Sequence, residues 1–207
     1  MGGVAGGVAP TLIQLVAFFR GLSEESTMTS IVAVSGSRRA DSTTKAALRV
    51  ALDAAARAGA ETELIDLGAV DLPLYHPNED EQGESDRLKA IVREADGVIA
   101  GSPVYRGSYS STFKNFHDFC GSEEYEYTAV GLLTTAGGGS YGGTLEHLRS
   151  TFRNVHAWVV PHEVGIRGAS SAIAADGTFR DDSLRDRTER LGRVVVEHAE
   201  RLPETDP

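Results

Sequence analysis

The chain has 207 residues and a formal net charge of −10, and its length suits one domain with a sizeable core. Because this excess of acidic side chains repels nucleic-acid phosphates and anionic membranes, neither is expected as a partner. The single cysteine, Cys120, excludes a disulfide within the chain and supplies too few ligands for a cysteine-bound zinc or iron–sulfur site. We expect Cys120 to be a small buried hydrophobic residue, with a reactive thiol as the alternative.

The first 27 residues differ from the rest of the chain. They begin with glycines, and the apolar run at residues 11–19 is too short to span a bilayer. Met28 leads straight into an apolar segment, so we interpret residues 1–27 as an extension, disordered or a misassigned start, and residues 28–203 as the domain. An interfacial membrane anchor is the alternative, but Arg20 is its one basic residue.

Short apolar runs alternate with helix-period segments from residue 31 onward. The runs predict strands at residues 31–34, 61–67, 97–101 and 128–134, and a fifth strand that begins at residues 157–160. Helices are predicted from about Ser42 and then over residues 88–95, 108–120, 144–154 and 184–202. Residues 68–83 and 167–182 are expected to be irregular.

This alternation predicts an α/β fold, a three-layer sandwich in which helices cover both faces of a five-stranded parallel sheet. Right-handed crossovers make the flavodoxin-like strand order 2-1-3-4-5 the natural choice. Ligands of such sheets bind at the carboxyl ends of the strands, at the switch between strands 1 and 3. The unusual loops of this chain follow strands 1, 3 and 4, at that same edge.

The loop after strand 1, residues 35–44, has the groups that a phosphate needs. A helix N-terminus offers backbone N–H groups and a favourable dipole, and Arg38 or Arg39 offers a cation. Four residues offer hydroxyls: Ser37, Ser42, Thr43 and Thr44. The segment is neither a Walker P-loop nor a GxGxxG fingerprint. The plain alternative is a helix cap at Ser42 beside two solvated arginines.

The loop after strand 3, residues 101–110, suits a flat aromatic ligand. Pro103 and Gly107 shape a backbone strip with little side-chain bulk, and Tyr105 offers a ring or a hydroxyl. Ser108 and Ser110 have a simpler interpretation as caps of the following helix.

The two loops together resemble the NAD(P)H-dependent FMN reductase family. The resemblance is carried by Gly36-Ser37-x-Arg39-x-x-Ser42 and by Ser102-Pro103-x-Tyr105-x-Gly107-Ser108-x-Ser110. Three shorter segments are also similar to the family: Phe113-Lys114-Asn115, Ala136-Gly137-Gly138-Gly139 and Leu72-Pro73-Leu74-Tyr75. The resemblance covers about residues 30–165. It implies a flavodoxin-like fold that holds one FMN.

The resemblance also implies which residues hold the FMN. Its phosphate is expected on Ser37, Arg39, Ser42, Thr43 and Thr44, with Thr43 acting through its backbone N–H. Its isoalloxazine ring is expected along Pro103, Val104, Tyr105, Arg106, Gly107 and Ser108. Residues 135–143 are expected to close on the pyrimidine end of the ring, through Ala136, Gly137 and Gly138.

Two positions depart from the family pattern. Val104 stands where the family often has a glutamate, so only backbone contacts are expected there. Arg106 stands where a histidine or asparagine is usual. An arginine beside the flavin attracts the phosphate of NADPH or an anionic acceptor, or is simply solvated.

The implied activity is an FMN-dependent oxidoreductase with ping-pong kinetics. NADPH or NADH gives a hydride to flavin N5, and a small acceptor such as free FMN, a quinone or an azo dye then takes the electrons. The flavin carries the chemistry, so no catalytic residue is predicted, and the histidines lack metal-ligand spacing. A flavodoxin-type electron carrier without NAD(P)H activity is the alternative.

The resemblance further implies a cytoplasmic homodimer or homotetramer. Family members are usually oligomeric, with the third and fourth predicted helices at the interface. Phe113, Phe116 and Phe119 either contribute to that interface or belong to the core.

Overall fold

The predicted five-stranded parallel sheet is confirmed. The computed structural model describes residues 28–80, 82–174 and 176–203, and its strand order is β2-β1-β3-β4-β5 with every pair parallel. The strands are β1 (Ser30–Ser35), β2 (Glu61–Asp66), β3 (Gly97–Pro103), β4 (Ala129–Ala136) and β5 (Trp158–Arg167). The interpretation of residues 1–27 as an extension lies outside the described residues.

Helices connect these strands and cover both faces of the sheet. They are α1 (Thr43–Arg57), α2 (Ser85–Arg93), α3 (Ser111–Phe119), α4 (Ser122–Tyr125), α5 (Gly142–Asn154), α6 (Ala169–Ala172) and α7 (Asp182–Ala199). Within the described part of the chain, no helix has both the length and the apolar character needed to cross a membrane.

The core consists of two apolar layers, one on each face of the sheet. Ile31 and Ala33 of β1 pack with α1 and α7 on one face. Val32 and Val34 of the same strand pack with α2, α3 and α5 on the other face. Successive side chains of a strand alternate between faces, so a strand that is apolar at every position is buried on both sides. The three-layer sandwich that the sequence predicts is therefore confirmed.

One detail differs from the sequence prediction, and another was not predicted. The third helix begins at Ser111 and not at Ser108, because Ser110 is its N-cap and Ser108 belongs to a tight turn. Strand β5 also contains an irregularity near Pro161, where the pairing jumps from Val130–Val159 to Leu132–Glu163. Neither the turn nor the bulge changes the strand order.

Burial in and just after α3 decides between the alternatives for three phenylalanines and for Cys120. Phe113, Phe116 and Phe119 have relative exposures of 1%, 0% and 9%, so all three belong to the core of this chain. Cys120 is buried directly after α3, and burial raises its thiol pKa to about 12. A thiol with so high a pKa is almost entirely protonated near neutral pH, which favours the buried hydrophobic residue over the reactive thiol.

Candidate functional site

The three predicted loops meet at the carboxyl edge of the sheet. Strands β1 and β3 are neighbours, and their chain connections leave in opposite directions, which creates the switch point where such folds bind ligands. The backbone N–H of Gly36, after β1, donates to the carbonyl of Gly101 in β3 at 2.8 Å. The loops after β1 and β3 are therefore joined at their bases.

The β1 loop, residues 36–42, ends at the N-terminus of α1. Ser42 is the N-cap, and its hydroxyl accepts a hydrogen bond from the backbone N–H of Lys45 at 3.1 Å. The hydroxyl of Ser37 lies within 3.4 Å of the backbone N–H of Arg39 and accepts from it. No acceptor among the described residues bonds the backbone N–H groups of Thr43 and Thr44. The N-terminus of a helix carries a partial positive charge, so unpaired N–H donors there suit an anion.

One hydroxyl near this helix end has a partner within the protein, and the two arginines are exposed. Thr44 is buried, and its hydroxyl hydrogen-bonds the hydroxyl of Thr135 at 2.5 Å, so it is engaged within the protein. Its backbone N–H remains the donor that faces outward from the helix start. Arg38 and Arg39 are both exposed, as expected for cations that receive a ligand from solvent.

The β3 hairpin, residues 104–109, is a two-residue turn. Tyr105 and Ser108 exchange backbone hydrogen bonds of 2.8 and 3.2 Å. Arg106 and Gly107 form the tip with φ values of 54° and 83°, the combination of a type I′ turn. Glycine takes such angles without strain, whereas an arginine with positive φ is uncommon.

Hydrogen bonds of two buried serines, Ser102 and Ser110, fix the base of this hairpin. The hydroxyl of Ser102 accepts the backbone N–H of Ser110 at 2.9 Å. The hydroxyl of Ser110 donates to the Gly36 carbonyl at 2.7 Å, and it also accepts the backbone N–H of Phe113 at 3.0 Å. Ser110 thus caps α3 and ties it to the β1 loop. The sequence prediction identified the cap but not the tie, because its partner lies 74 residues away.

The glycine loop, residues 137–141, follows β4 and leads into α5. A Cβ atom added to Gly137, Gly138 or Gly139 would meet no protein atom within 4 Å, so packing does not require glycine at any of them. Their backbone N–H groups have no acceptor among the described residues. The glycines therefore expose a row of backbone donors beside the β3 hairpin.

Three residues outside the predicted site set also contact these loops. His147 of α5 shares a 2.9 Å hydrogen bond between its Nδ1 atom and the hydroxyl of Ser108. Arg167, at the end of β5, donates from Nε to the carbonyl of Gly138 at 3.1 Å. The backbone carbonyl of Thr135 accepts the backbone N–H of Val104 at 2.8 Å. No local motif marks any of these three residues, because each contact depends on strands and helices meeting at the edge.

The groups at this edge fit FMN. An anionic phosphate suits the start of α1, where free N–H groups and two arginines lie together. The pyrimidine half of a flavin carries carbonyl and ring-nitrogen acceptors, which suit the free donors of the glycine loop. Two more polar groups flank that loop, since the buried hydroxyls of Thr134 and Thr144 have no partner in the described structure. Buried polar groups without partners are uncommon in folded proteins and call for a ligand or a water.

Curated relatives agree with this chemistry. An NADPH azoreductase from Bacillus sp. (strain OY1-2) is 33% identical over 126 residues, which cover 59% of this chain and 69% of the relative. An FMN-dependent NADPH-azoreductase from Staphylococcus saprophyticus is 35% identical over 92 residues, which cover 44% of this chain and 49% of the relative. The chain thus spans about two thirds of the first relative and about half of the second.

Solved structures share the fold. The flavoenzyme NAD(P)H:(acceptor) oxidoreductase FerB from Paracoccus denitrificans has a TM-score of 0.70 and 23% identity, covering 84% of this chain and 99% of that one. The NADH:FMN oxidoreductase EMOB has a TM-score of 0.67 and 22% identity, covering 86% and 92%. At these identities the likeness concerns the fold.

The strongest comparison is with a family model. The model of the NADPH-dependent FMN reductases matches residues 29–171. This range contains all five strands and all three loops of the carboxyl edge. The class uses FMN as its flavin and a nicotinamide nucleotide as its electron donor. This chain belongs to the NADPH-dependent FMN reductase family.

Proposed function

We propose that this chain binds FMN at the carboxyl edge of the sheet and passes electrons from NADPH to a small acceptor. The observation that carries the proposal is that two separate groups of unpaired backbone donors lie at the same carboxyl edge of the sheet. One group opens the helix after β1, and the other lines the loop after β4.

The phosphate lies on the β1 loop in this proposal. The backbone N–H groups of Thr43 and Thr44 point along the dipole of α1 toward it. The hydroxyls of Ser37 and Ser42 accept backbone hydrogen bonds and keep their own protons for donation. Arg39 supplies the bidentate cation.

The isoalloxazine ring lies between the β3 hairpin and the glycine loop. The Val104 N–H is already bonded to Thr135, so this residue meets the ring through its carbonyl and side chain. Arg106 and Gly107 present their backbone at the hairpin tip, between Tyr105 and Ser108. Pro103 forms the base, and Ala136, Gly137 and Gly138 receive the pyrimidine edge.

The bound flavin supplies hydride acceptance from the nucleotide and onward electron transfer. The protein supplies positive charge, because Arg38, Arg39 and Arg106 are exposed and form no ion pair in the described structure. Arg39 holds the FMN phosphate in this proposal, and the exposed cations Arg38 and Arg106 attract the phosphates of NADPH. The nucleotide and the acceptor use the same ring face in turn, which gives ping-pong kinetics.

The acceptor is proposed to be a planar small molecule. Two curated relatives are named as NADPH azoreductases, so an azo compound is the first acceptor to test, followed by free FMN and a quinone. Membership in a family of reductases disfavours the flavodoxin-type carrier. A carrier would hold FMN without being reduced by NADPH.

The test begins with the purified protein and FMN. Bound flavin gives the two visible bands of FMN, and NADPH added without oxygen should bleach them; an azo dye should then restore them. Arg39→Ala should weaken FMN binding about tenfold or more, since hydrogen bonds to charged groups contribute about 1.5–3 kcal/mol. Arg190→Ala is the matched control, because Arg190 is an exposed arginine of α7. Equal FMN affinity in the two variants would remove the phosphate assignment, and flavin that NADPH leaves oxidised would favour the carrier.

The assembly is proposed to be a homodimer or homotetramer that uses α3 and α5. These helices border a cleft of about 660 Å³ that contains Lys114, Asp118 and Arg153. Their phenylalanines face inward, so an interface here would be polar. Light scattering should give a multiple of the 22.0 kDa chain mass, and a monomer at working concentration would contradict the proposal.

A further inference from the structure

The side chain of Arg167 contacts the glycine loop at the edge of the candidate site. It is the last residue of β5 and lies opposite Ala136 in the β4–β5 register. Its Nε atom donates to the carbonyl of Gly138. This is the one side-chain hydrogen bond to residues 137–139 within the described structure. The other guanidinium donors stay available, since arginine has five N–H groups.

The positive charge of Arg167 is not neutralised by a carboxylate. A nearby arginine has such a partner, since Arg149 pairs with Glu163 of the same strand β5. In the described part of the chain no carboxylate lies within 4.0 Å of the Arg167 guanidinium. Arg167 is therefore a cation that contacts the glycine loop and has no carboxylate partner in the described structure, although the net charge of the protein is −10.

We propose that Arg167 is a positioning residue that holds the glycine loop in place and sets a fixed positive charge at the pyrimidine end of FMN. The inference rests on the proposed function, because it needs the ring to lie against that loop. Hydride uptake leaves negative charge around N1 and C2=O of a flavin, and a preorganised cation stabilises charge that develops near it. Arg167 therefore favours the reduced flavin over the oxidised one.

The test compares Arg167→Gln, Arg167→Lys and the control Arg190→Gln as FMN-loaded proteins. The midpoint potential is measured against a reference dye, and the affinity for oxidised FMN is measured by titration. Arg167→Gln should lose about tenfold more affinity for reduced than for oxidised FMN. For a two-electron couple this is a midpoint potential lower by about 30 mV. Arg167→Lys should keep most of the wild-type potential, because it keeps the charge.

A second readout follows the loop itself. Amide exchange of residues 137–141 should be faster in Arg167→Gln than in Arg190→Gln. If Arg167→Gln leaves the potential unchanged, or if lysine and glutamine shift it equally, the electrostatic role is overturned. If FMN binds and depends on Arg39 while the Arg167 variants behave as wild type, only this inference fails. A wild-type protein that takes up no FMN overturns the proposed function as well.

Discussion

The β3 hairpin and the glycine loop stand side by side at the carboxyl edge, yet they are built in opposite ways. The hairpin satisfies its own backbone through the Tyr105–Ser108 pair and is anchored by Ser110. Residues 137–139 of the glycine loop have backbone donors without acceptors in the described structure, and one side-chain hydrogen bond, from Arg167, reaches them. A self-bonded loop has its shape before any ligand arrives, whereas a loop of unpaired donors gains its bonds from the ligand.

This difference assigns the two loops different roles. The hairpin and the β1 loop form a fixed frame, because Gly36, Gly101 and Ser110 bind them together. The glycine loop completes the site around whatever binds in that frame. Substitutions in the frame should therefore cost stability and FMN binding together, while substitutions in the glycine loop should affect FMN binding alone.

Gly36→Ala breaks the frame most strongly. The added Cβ would lie 2.7 Å from the Phe113 Cβ atom and 2.9 Å from the Ser110 hydroxyl, so neighbouring groups must shift. We expect the free energy of unfolding to fall by about 2–3 kcal/mol, measured by urea denaturation. Gly138→Ala is the matched control and should change it by less than about 1 kcal/mol. Equal losses in the two variants would erase the distinction between the loops.

Ser110→Ala removes two hydrogen bonds of the frame at once. The helix α3 loses its cap, and the Gly36 carbonyl loses its donor. The expected loss in unfolding free energy is about 2 kcal/mol. Ser140→Ala, in the exposed glycine loop, is the control and should stay within about 0.5 kcal/mol of wild type. A Ser110→Ala protein as stable as this control would show that the tie between the loops contributes nothing.

Thr135→Val tests a hydrogen bond near the end of β4, where the fixed frame meets the glycine loop. It leaves the buried Thr44 hydroxyl without its partner, at an expected cost of about 1 kcal/mol. The double variant Thr44→Val/Thr135→Val should recover part of that loss, because both polar groups are then gone. Strictly additive losses in this double-mutant cycle would mean that the two hydroxyls are not coupled.

The sequence predicts the strands and the helix starts of the frame better than the hydrogen bonds that join its loops. Strand positions follow from apolar runs, and the start of α1 follows from Ser42, because both signals are local. The sequence places the start of α3 at Ser108, three residues before its start at Ser111, since Ser108 and Ser110 are equally plausible caps and only the Tyr105–Ser108 bonds decide between them.

The remaining differences arise from long-range packing. The hydroxyls of Thr44 and Thr135 form a hydrogen bond across 91 residues of sequence, a contact that the pattern of residues 35–44 does not predict. Arg167 was absent from the predicted site because it lies beyond the motifs that carry the family resemblance. Its role depends on the β4–β5 register, which places it opposite Ala136. Register of this kind is not visible in a local pattern.

Hydrogen exchange of the protein with and without FMN tests the central claim most directly. FMN should slow the amides of residues 42–44 and 137–139, which lack acceptors, and should change the bonded amides of Tyr105 and Ser108 much less. Riboflavin, which has no phosphate, should protect residues 137–139 but not residues 42–44. Protection confined to other surfaces, such as the cleft at the amino ends of the strands that contains Thr29, Asp96 and Thr128, would contradict the account.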